Sequence, residues 1–218
     1  MTDSETTDFI ETTRTSYDAI AKDYAAAYPG LPERPVDMSL VGAFAQLVRA
    51  NGAAPVADLG SGPGHITAHL HELGVPAFGV DLSPAMVSLA REAYPALRFH
   101  RGSMTSLDLP DGTLGGILAL YSIIHVPDAD LPATFAGFHR ALVPGGHVLL
   151  AFQKSERPGL HLTERFGHRI DLHYHWRPAY VVSDMLVKAG LEVTATLIRE
   201  PQDEEKWPRA FVLARKPG

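Results

Sequence analysis

Val56-Ala57-Asp58-Leu59-Gly60-Ser61-Gly62-Pro63-Gly64-His65 is the stretch that decides the fold. A short run of strand length ends in alternating glycines, and helical spacing begins at once from Ile66. Glycines at such a turn let the backbone bend sharply and approach a ligand with no Cβ in the way. Asp81, which closes the next short apolar run, lies where a carboxylate can accept hydrogen bonds from two ribose hydroxyls. Asp58 can accept a hydrogen bond, directly or through water, from a cationic amino group.

The pattern continues outward from this turn. Short apolar runs at residues 56–59, 77–80, 98–100, 117–121 and 147–152 alternate with helical stretches at 66–73, 84–93 and 131–142. That alternation predicts a parallel sheet covered by helices, an α/β class fold. A helix at 178–189 and a closing hairpin of 192–199 with 210–215 follow. Upstream, Tyr17, Ile20, Tyr24 and Tyr28 form a helical stripe over 16–28, and Leu40, Phe44, Leu47 and Val48 form another over 36–50. The proline-rich turn at 31–35 separates them. We expect one structural domain, with an N-terminal helical cap at 1–52 and a core at 53–218 that carries a His-rich insertion near 154–178.

Composition narrows the function. The 218 residues include no cysteine, which excludes thiol catalysis and thiolate metal sites. With 19 basic and 25 acidic side chains, the net charge of -6 and the lack of a basic cluster argue against a nucleic-acid partner. The apolar run at 116–126 is too short to span a bilayer, so no membrane partner is expected. The acidic, polar start MTDSETTD is unlike a secretory signal and suggests a cytoplasmic protein. Oligomeric state is not readable.

Two nucleotide motifs fail at the glycine turn. A dinucleotide fingerprint needs glycine three places after Gly62, where His65 stands, and a phosphate loop needs a Gly-Lys pair, which occurs nowhere in the chain. An NAD(P)-dependent dehydrogenase therefore survives only as an alternative, weakened further by the lack of a Tyr-x-x-x-Lys pair.

The sequence resembles the class I S-adenosylmethionine-dependent methyltransferases of the small-molecule type, through VADLGSGPGHIT, FGVDLSPAMVSLARE, LPDGTLGGILALYSIIHVPD and RALVPGGHVLLAF. The resemblance implies a Rossmann-like, doubly wound, mostly parallel seven-stranded sheet, with helices on both faces, an N-terminal helical lid and the last strand inserted antiparallel beside the fifth. It implies S-adenosyl-L-methionine as cofactor, held by Gly60, Ser61, Gly62 and Gly64, with Asp81 on the ribose and Leu82 and Met86 beside adenine. Leu120, Tyr121 and Ser122 would line the same site, the last two through their backbone. Where relatives carry Gly-Asp, this chain has Gly102-Ser103-Met104, so Ser103 or a carbonyl must replace the usual carboxylate. Leu114-Gly115 replaces a common Phe-Asp. The Tyr17-Asp18-x-Ile20-Ala21-x-x-Tyr24 segment resembles the part that folds over the cofactor, which puts Tyr17 and Tyr24 in the site.

Methyl transfer to a hydroxyl needs alignment, exclusion of water and removal of a proton. His125, near the end of the fourth apolar run where ligands gather in open α/β sheets, is the candidate catalytic base and also a candidate substrate-binding residue. His161, His168, His173, His175 and Trp176 crowd the insertion near 154–178, which the resemblance makes a substrate lid, and His168, His173 and Trp176 are expected to contact the acceptor. A metal bound by these imidazoles is an alternative that their spacing does not favour, so no metal is expected. The expected activity is transfer of a methyl group from S-adenosyl-L-methionine to an oxygen or nitrogen of a small-molecule acceptor, leaving S-adenosyl-L-homocysteine. A binding protein that holds the cofactor without catalysis is the other alternative.

Overall fold

The computed structural model describes residues 3–30, 34–157 and 159–218, with side chains from residue 9 onward. Two helices, α1 (Asp3–Ala27) and α2 (Pro35–Ala50), precede the alternating part. That part runs β1 (Val56–Leu59), α3 (His65–Glu72), β2 (Ala77–Asp81), α4 (Pro84–Ala93), β3 (Arg98–Arg101), β4 (Leu114–Leu120), α5 (Leu131–Ala141) and β5 (Leu142–Gln153). A hairpin of β6 (Leu160–Arg165) and β7 (His168–Tyr174) follows, then α6 (Ala179–Lys188), β8 (Glu192–Arg199) and β9 (Arg209–Arg215).

Seven strands form one sheet in the order β3-β2-β1-β4-β5-β9-β8. The first five pair in parallel, and β9 enters antiparallel between β5 and β8, as the resemblance implied. Strand order reverses between β1 and β4. The carboxyl ends of the strands flanking such a reversal form a crevice.

Alternation along the strands builds two cores. Ile117 and Ala119 of β4, with Val148, Leu150 and Phe152 of β5, turn to the face covered by Leu131, Phe135 and Phe138 of α5 and Val182 and Leu186 of α6. Leu118 and Leu149 turn the other way, onto Val41, Phe44, Ala45 and Val48 of α2. A sheet covered on both faces buries every position of its central strands, and β1 is buried throughout, Asp58 included.

Helix α1 starts well before the predicted stripe, at Asp3 rather than residue 16. Small polar residues on its inner face, Thr13 and Ser16, are buried beside Ile20 and Ala21. Ser16 Oγ accepts the Asp171 amide of β7 at 2.9 Å, and Asp18 Oδ1 accepts from the Ser83 hydroxyl at 2.6 Å and the Ala85 amide at 3.2 Å. These bonds dock α1 between the hairpin and the start of α4. The predicted turn at 31–35 falls partly outside the described residues.

The hairpin was not expected as strands. Its two-residue turn, Phe166 and Gly167, has positive φ at both positions, 53° and 76°, the backbone of a type I′ turn. Ile170 and Leu172 pack onto Ile20 of α1, with Tyr17 and Tyr24 around them.

Candidate functional site

A cavity of about 1040 Å³ opens at the carboxyl ends of β1, β2 and β4, covered by α1 and the hairpin. Gly60, Ser61 and Gly62 form one wall, and Asp81, Leu82 and Met86 the next. Gly102, Ser103 and Met104 continue it after β3, while Leu120, Tyr121 and His125 close the side after β4. Tyr17 and Tyr24 contribute from α1 and Trp176 from the segment after the hairpin.

Glycine is required at the turn for two different reasons. At Gly60, φ is 75° and an added Cβ would sit 2.4 Å from the Ser122 Cβ, so the fold itself forbids a side chain. At Gly62, φ is 52° but an added Cβ meets nothing, and the residue faces the cavity. The Gly62 amide donates to Asp81 Oδ2 at 2.8 Å and the Ser83 amide to Oδ1 at 2.9 Å. The Asp81 carboxylate is thus fixed at the cavity wall. Burial raises its pKa, against the lowering effect of these amides.

Four predicted contacts fall elsewhere. Asp58 is buried behind the turn and is not part of the cavity wall; the Thr67 hydroxyl donates to its Oδ2 at 2.6 Å. Burial pushes its pKa up to about 7, with the Thr67 bond opposing. Gly64 also lies off the wall, because its Cα packs toward Phe99, whose ring an added Cβ would meet at 2.7 Å. His168 points outward to Asp23, at 2.9 Å, and the His173 ring stacks on His161 at 4.1 Å on the exposed face of the hairpin. Strand alternation explains this, since Ile170, Leu172 and Tyr174 take the inward side. The Asp171 carboxylate sits between the two stacked rings, 2.7 Å from His161 Nε2 and 3.5 Å from His173 Nε2.

His125 is buried on a 3-10 turn, Ile123–His125, just beyond β4. Its Nδ1 donates to the His173 carbonyl at 3.0 Å, so in the neutral ring Nε2 is the bare nitrogen and accepts from the Tyr17 hydroxyl at 2.8 Å. Burial pulls its pKa down to about 4, so the ring is neutral at physiological pH. The Tyr17 pKa is raised well above the ordinary tyrosine value by burial, so that hydroxyl stays protonated. Tyr174 meets the other side of the His125 ring edge-on, centroids 4.8 Å apart.

Tyr121 adopts φ 55°, unusual for a residue with a side chain, and its hydroxyl donates to Asp37 Oδ2 at 3.2 Å. Asp37 in turn belongs to an ion cluster: Arg199 bridges Asp37 at 2.7 Å and Glu205 at 2.7 Å, and Arg34 and Arg209 reach Glu205 at 3.2 and 3.3 Å. The surrounding arginines hold Glu205 down to about 2, against its burial. This cluster forms the far wall of the cavity through Arg34, Asp37, Glu205 and Arg209.

Sequence reasoning missed Asp18, Asp37, Arg165 and Tyr174. Asp18 stood inside a quoted motif, yet its bond to Ser83 spans 65 positions. The alternation Ile170, Leu172, Tyr174 was the signal for the hairpin and for Tyr174. Asp37 and Arg165 carried no local signal.

Residues 56–146 match the Methyltransferase domain family. The demethylmenaquinone methyltransferase of Chlorobaculum parvum is 32% identical over 92 residues, 42% of this chain and 37% of that protein. The alignment thus spans little more than a third of that curated relative. Among solved structures, the magnesium protoporphyrin IX methyltransferase of Synechocystis PCC 6803, with bound SAM, superposes with a TM-score of 0.70 at 15% identity, covering 95% of this chain and 97% of that one. The [4+2]-cyclase SpnF superposes with a TM-score of 0.74 at 15% identity over 95% and 97%. These two likenesses show the fold, and the second shows that this fold also carries other chemistry. Over residues 56–146 the sequence is thus similar to methyltransferases, and the chain has the fold of a solved structure of an S-adenosylmethionine-binding methyltransferase.

Proposed function

We propose that the chain transfers a methyl group from S-adenosyl-L-methionine to an oxygen or nitrogen of a small-molecule acceptor. The observation that carries this is the Asp81 carboxylate, fixed by the Gly62 and Ser83 amides at the wall of a cavity on the strand-order reversal. The cavity also fits the cofactor in having open space at Gly62, where an added Cβ would meet nothing. Asp81 would take the ribose, Leu82 and Met86 the adenine, and the Gly60–Gly62 turn the methionine part. Asp58, behind the turn, would act on the amino group through water. Bound there, S-adenosyl-L-methionine supplies an electrophilic methyl group already activated by positive charge.

The protein's own work is positioning and proton handling. α1 and the hairpin cover the cavity and keep water from it. For a hydroxyl acceptor, Tyr17 is the group that meets the acceptor, taking its proton while passing its own to His125 Nε2; the His173 carbonyl steadies the imidazolium that forms. An acceptor screen read by S-adenosylhomocysteine release, preceded by calorimetric binding of S-adenosylhomocysteine, tests the reading. Binding with release on at least one acceptor is expected. Tight binding of NADH with none of S-adenosylhomocysteine would replace this reading with a dehydrogenase.

A further inference from the structure

We infer that Arg165 is the recognition point for an anionic group, a carboxylate or phosphate, on the methyl acceptor. The inference rests on the methyltransferase reading above for the word acceptor, and on geometry alone for the anion.

Arg165 ends β6 and lines the cavity. Arg34 and Arg209, the other arginines of the cavity wall among the described residues, are each paired with Glu205. Arg165 has no carboxylate partner among the described residues. It is held by tyrosines instead: Nη1 donates to the Tyr174 hydroxyl at 3.1 Å and Nη2 to the Tyr28 hydroxyl at 3.0 Å. Its guanidinium also lies over the rings of Tyr24, Tyr28 and Phe166, at 5.4, 5.9 and 5.1 Å from their centroids.

A half-buried guanidinium has lost part of its hydration, and neutral hydroxyls and ring faces return only some of it. Two of its five N–H groups are engaged, so three remain, in the fork that matches a carboxylate or phosphate. The tyrosines fix the fork in advance, which lowers the entropy cost of binding. Position sets the ligand's size. The Tyr174 ring that holds Arg165 is the ring packed edge-on against His125, so one tyrosine separates the cation from the proton-handling pair. An acceptor whose anionic group is about one aromatic ring away from its nucleophilic atom spans that interval.

The cofactor's own carboxylate is the rival source of the anion, and the test separates the two. Benzoate, inorganic phosphate and neutral benzamide are titrated into the full chain saturated with S-adenosylhomocysteine, as wild type, Arg165→Lys and Arg165→Gln, each checked by circular dichroism. The inference predicts that at least one anion binds the loaded wild type and benzamide does not. Arg165→Gln should weaken that anion at least tenfold, Arg165→Lys should fall between, and affinity for S-adenosylhomocysteine should stay within threefold in all three. No anion binding to the loaded protein, or anion binding unchanged in Arg165→Gln, overturns it. So does a tenfold loss of S-adenosylhomocysteine affinity in Arg165→Gln, which would give Arg165 to the cofactor. If the wild type binds no S-adenosylhomocysteine, the methyltransferase reading fails first, and the same titrations on the unloaded protein still decide whether Arg165 binds anions.

Discussion

The Tyr17 hydroxyl and His125 Nε2, 108 positions apart in the chain, lie 2.8 Å from each other on the cavity wall, with the other ring nitrogen of His125 tied to the His173 carbonyl. Both imidazole nitrogens are therefore committed. On the proposed function, a proton path from an acceptor to His125 would run through Tyr17, and the pair joins α1, the turn after β4 and the hairpin at one point.

If this pair handles the proton, Tyr17→Phe should lower turnover on a hydroxyl acceptor by roughly 10² to 10³. Cofactor affinity should change little. His125→Asn should have a similar effect on turnover, and the double variant should be no worse than either single one, because the two residues act as a unit. Additive losses in the double variant would separate them.

The pH dependence follows from burial of His125. Since its pKa is pulled down to about 4, the ring is bare at Nε2 throughout the neutral range, and this group should leave turnover flat from pH 8 to about 5. An acid limb centred near 6.5 on a hydroxyl acceptor would show that the ring is not desolvated during turnover. Stability carries the same sign. A histidine with a depressed pKa in the folded state costs stability as pH falls from about 6.5 to about 4, up to roughly 3 kcal/mol. Denaturant titrations should show His125→Asn losing less stability than wild type over that window.

Asp58 behaves in the opposite way. Its pKa is raised to about 7 in the folded protein, from an ordinary value of 3.8, so folding binds a proton and stability falls as pH rises through that interval. Asp58→Asn should therefore be least harmful at pH 8 and most harmful at pH 4, by a difference of a few kcal/mol. A pH-independent effect would mean that the carboxylate is ionised in the folded state.

The two glycines of the turn should separate fold from ligand. Gly60→Ala forces a Cβ onto Ser122 and should cost roughly 1 to 3 kcal/mol of stability. Gly62→Ala meets no atom and should cost only about 1 kcal/mol for its positive φ. Cofactor affinity should fall clearly in the second while its melting temperature barely moves. The reverse ranking would place the ligand away from Gly62.

The glycine turn and Asp81 were legible because their meaning is local. A strand, a sharp turn and an acidic strand end lie within 26 residues of chain, and the helix and strand periods between them are unbroken. The hairpin was obscured by its surface: His161, His168 and His173 face outward, and Phe166-Gly167 is not a common type I′ pair. Reading the histidines as a group drew attention from Ile170, Leu172 and Tyr174, which pack inward. The Tyr17–His125 pair, the ion cluster at Asp37 and the anchoring of Arg165 by Tyr28 and Tyr174 depend on how the sheet folds back under α1. No spacing along the chain encodes them.

The Asp37 cluster makes a separate prediction. Removing the carboxylate in Asp37→Ala leaves Arg199 buried with one partner lost and Tyr121 without its acceptor, and should destabilise the fold by about 3 to 5 kcal/mol. Urea denaturation checks this. A loss under about 1 kcal/mol would show that water replaces the carboxylate there.

The most direct test of the account is a calorimetric titration of S-adenosylhomocysteine into wild type and Asp81→Asn, with NADH in parallel. Asp81→Asn keeps an oxygen for one backbone amide but loses the charge that would hold the ribose. The account predicts one site per chain for S-adenosylhomocysteine, a loss of roughly 2 to 4 kcal/mol of affinity in Asp81→Asn and no heat from NADH. Binding of S-adenosylhomocysteine unchanged within threefold in Asp81→Asn would contradict the placement of the cofactor in this cavity.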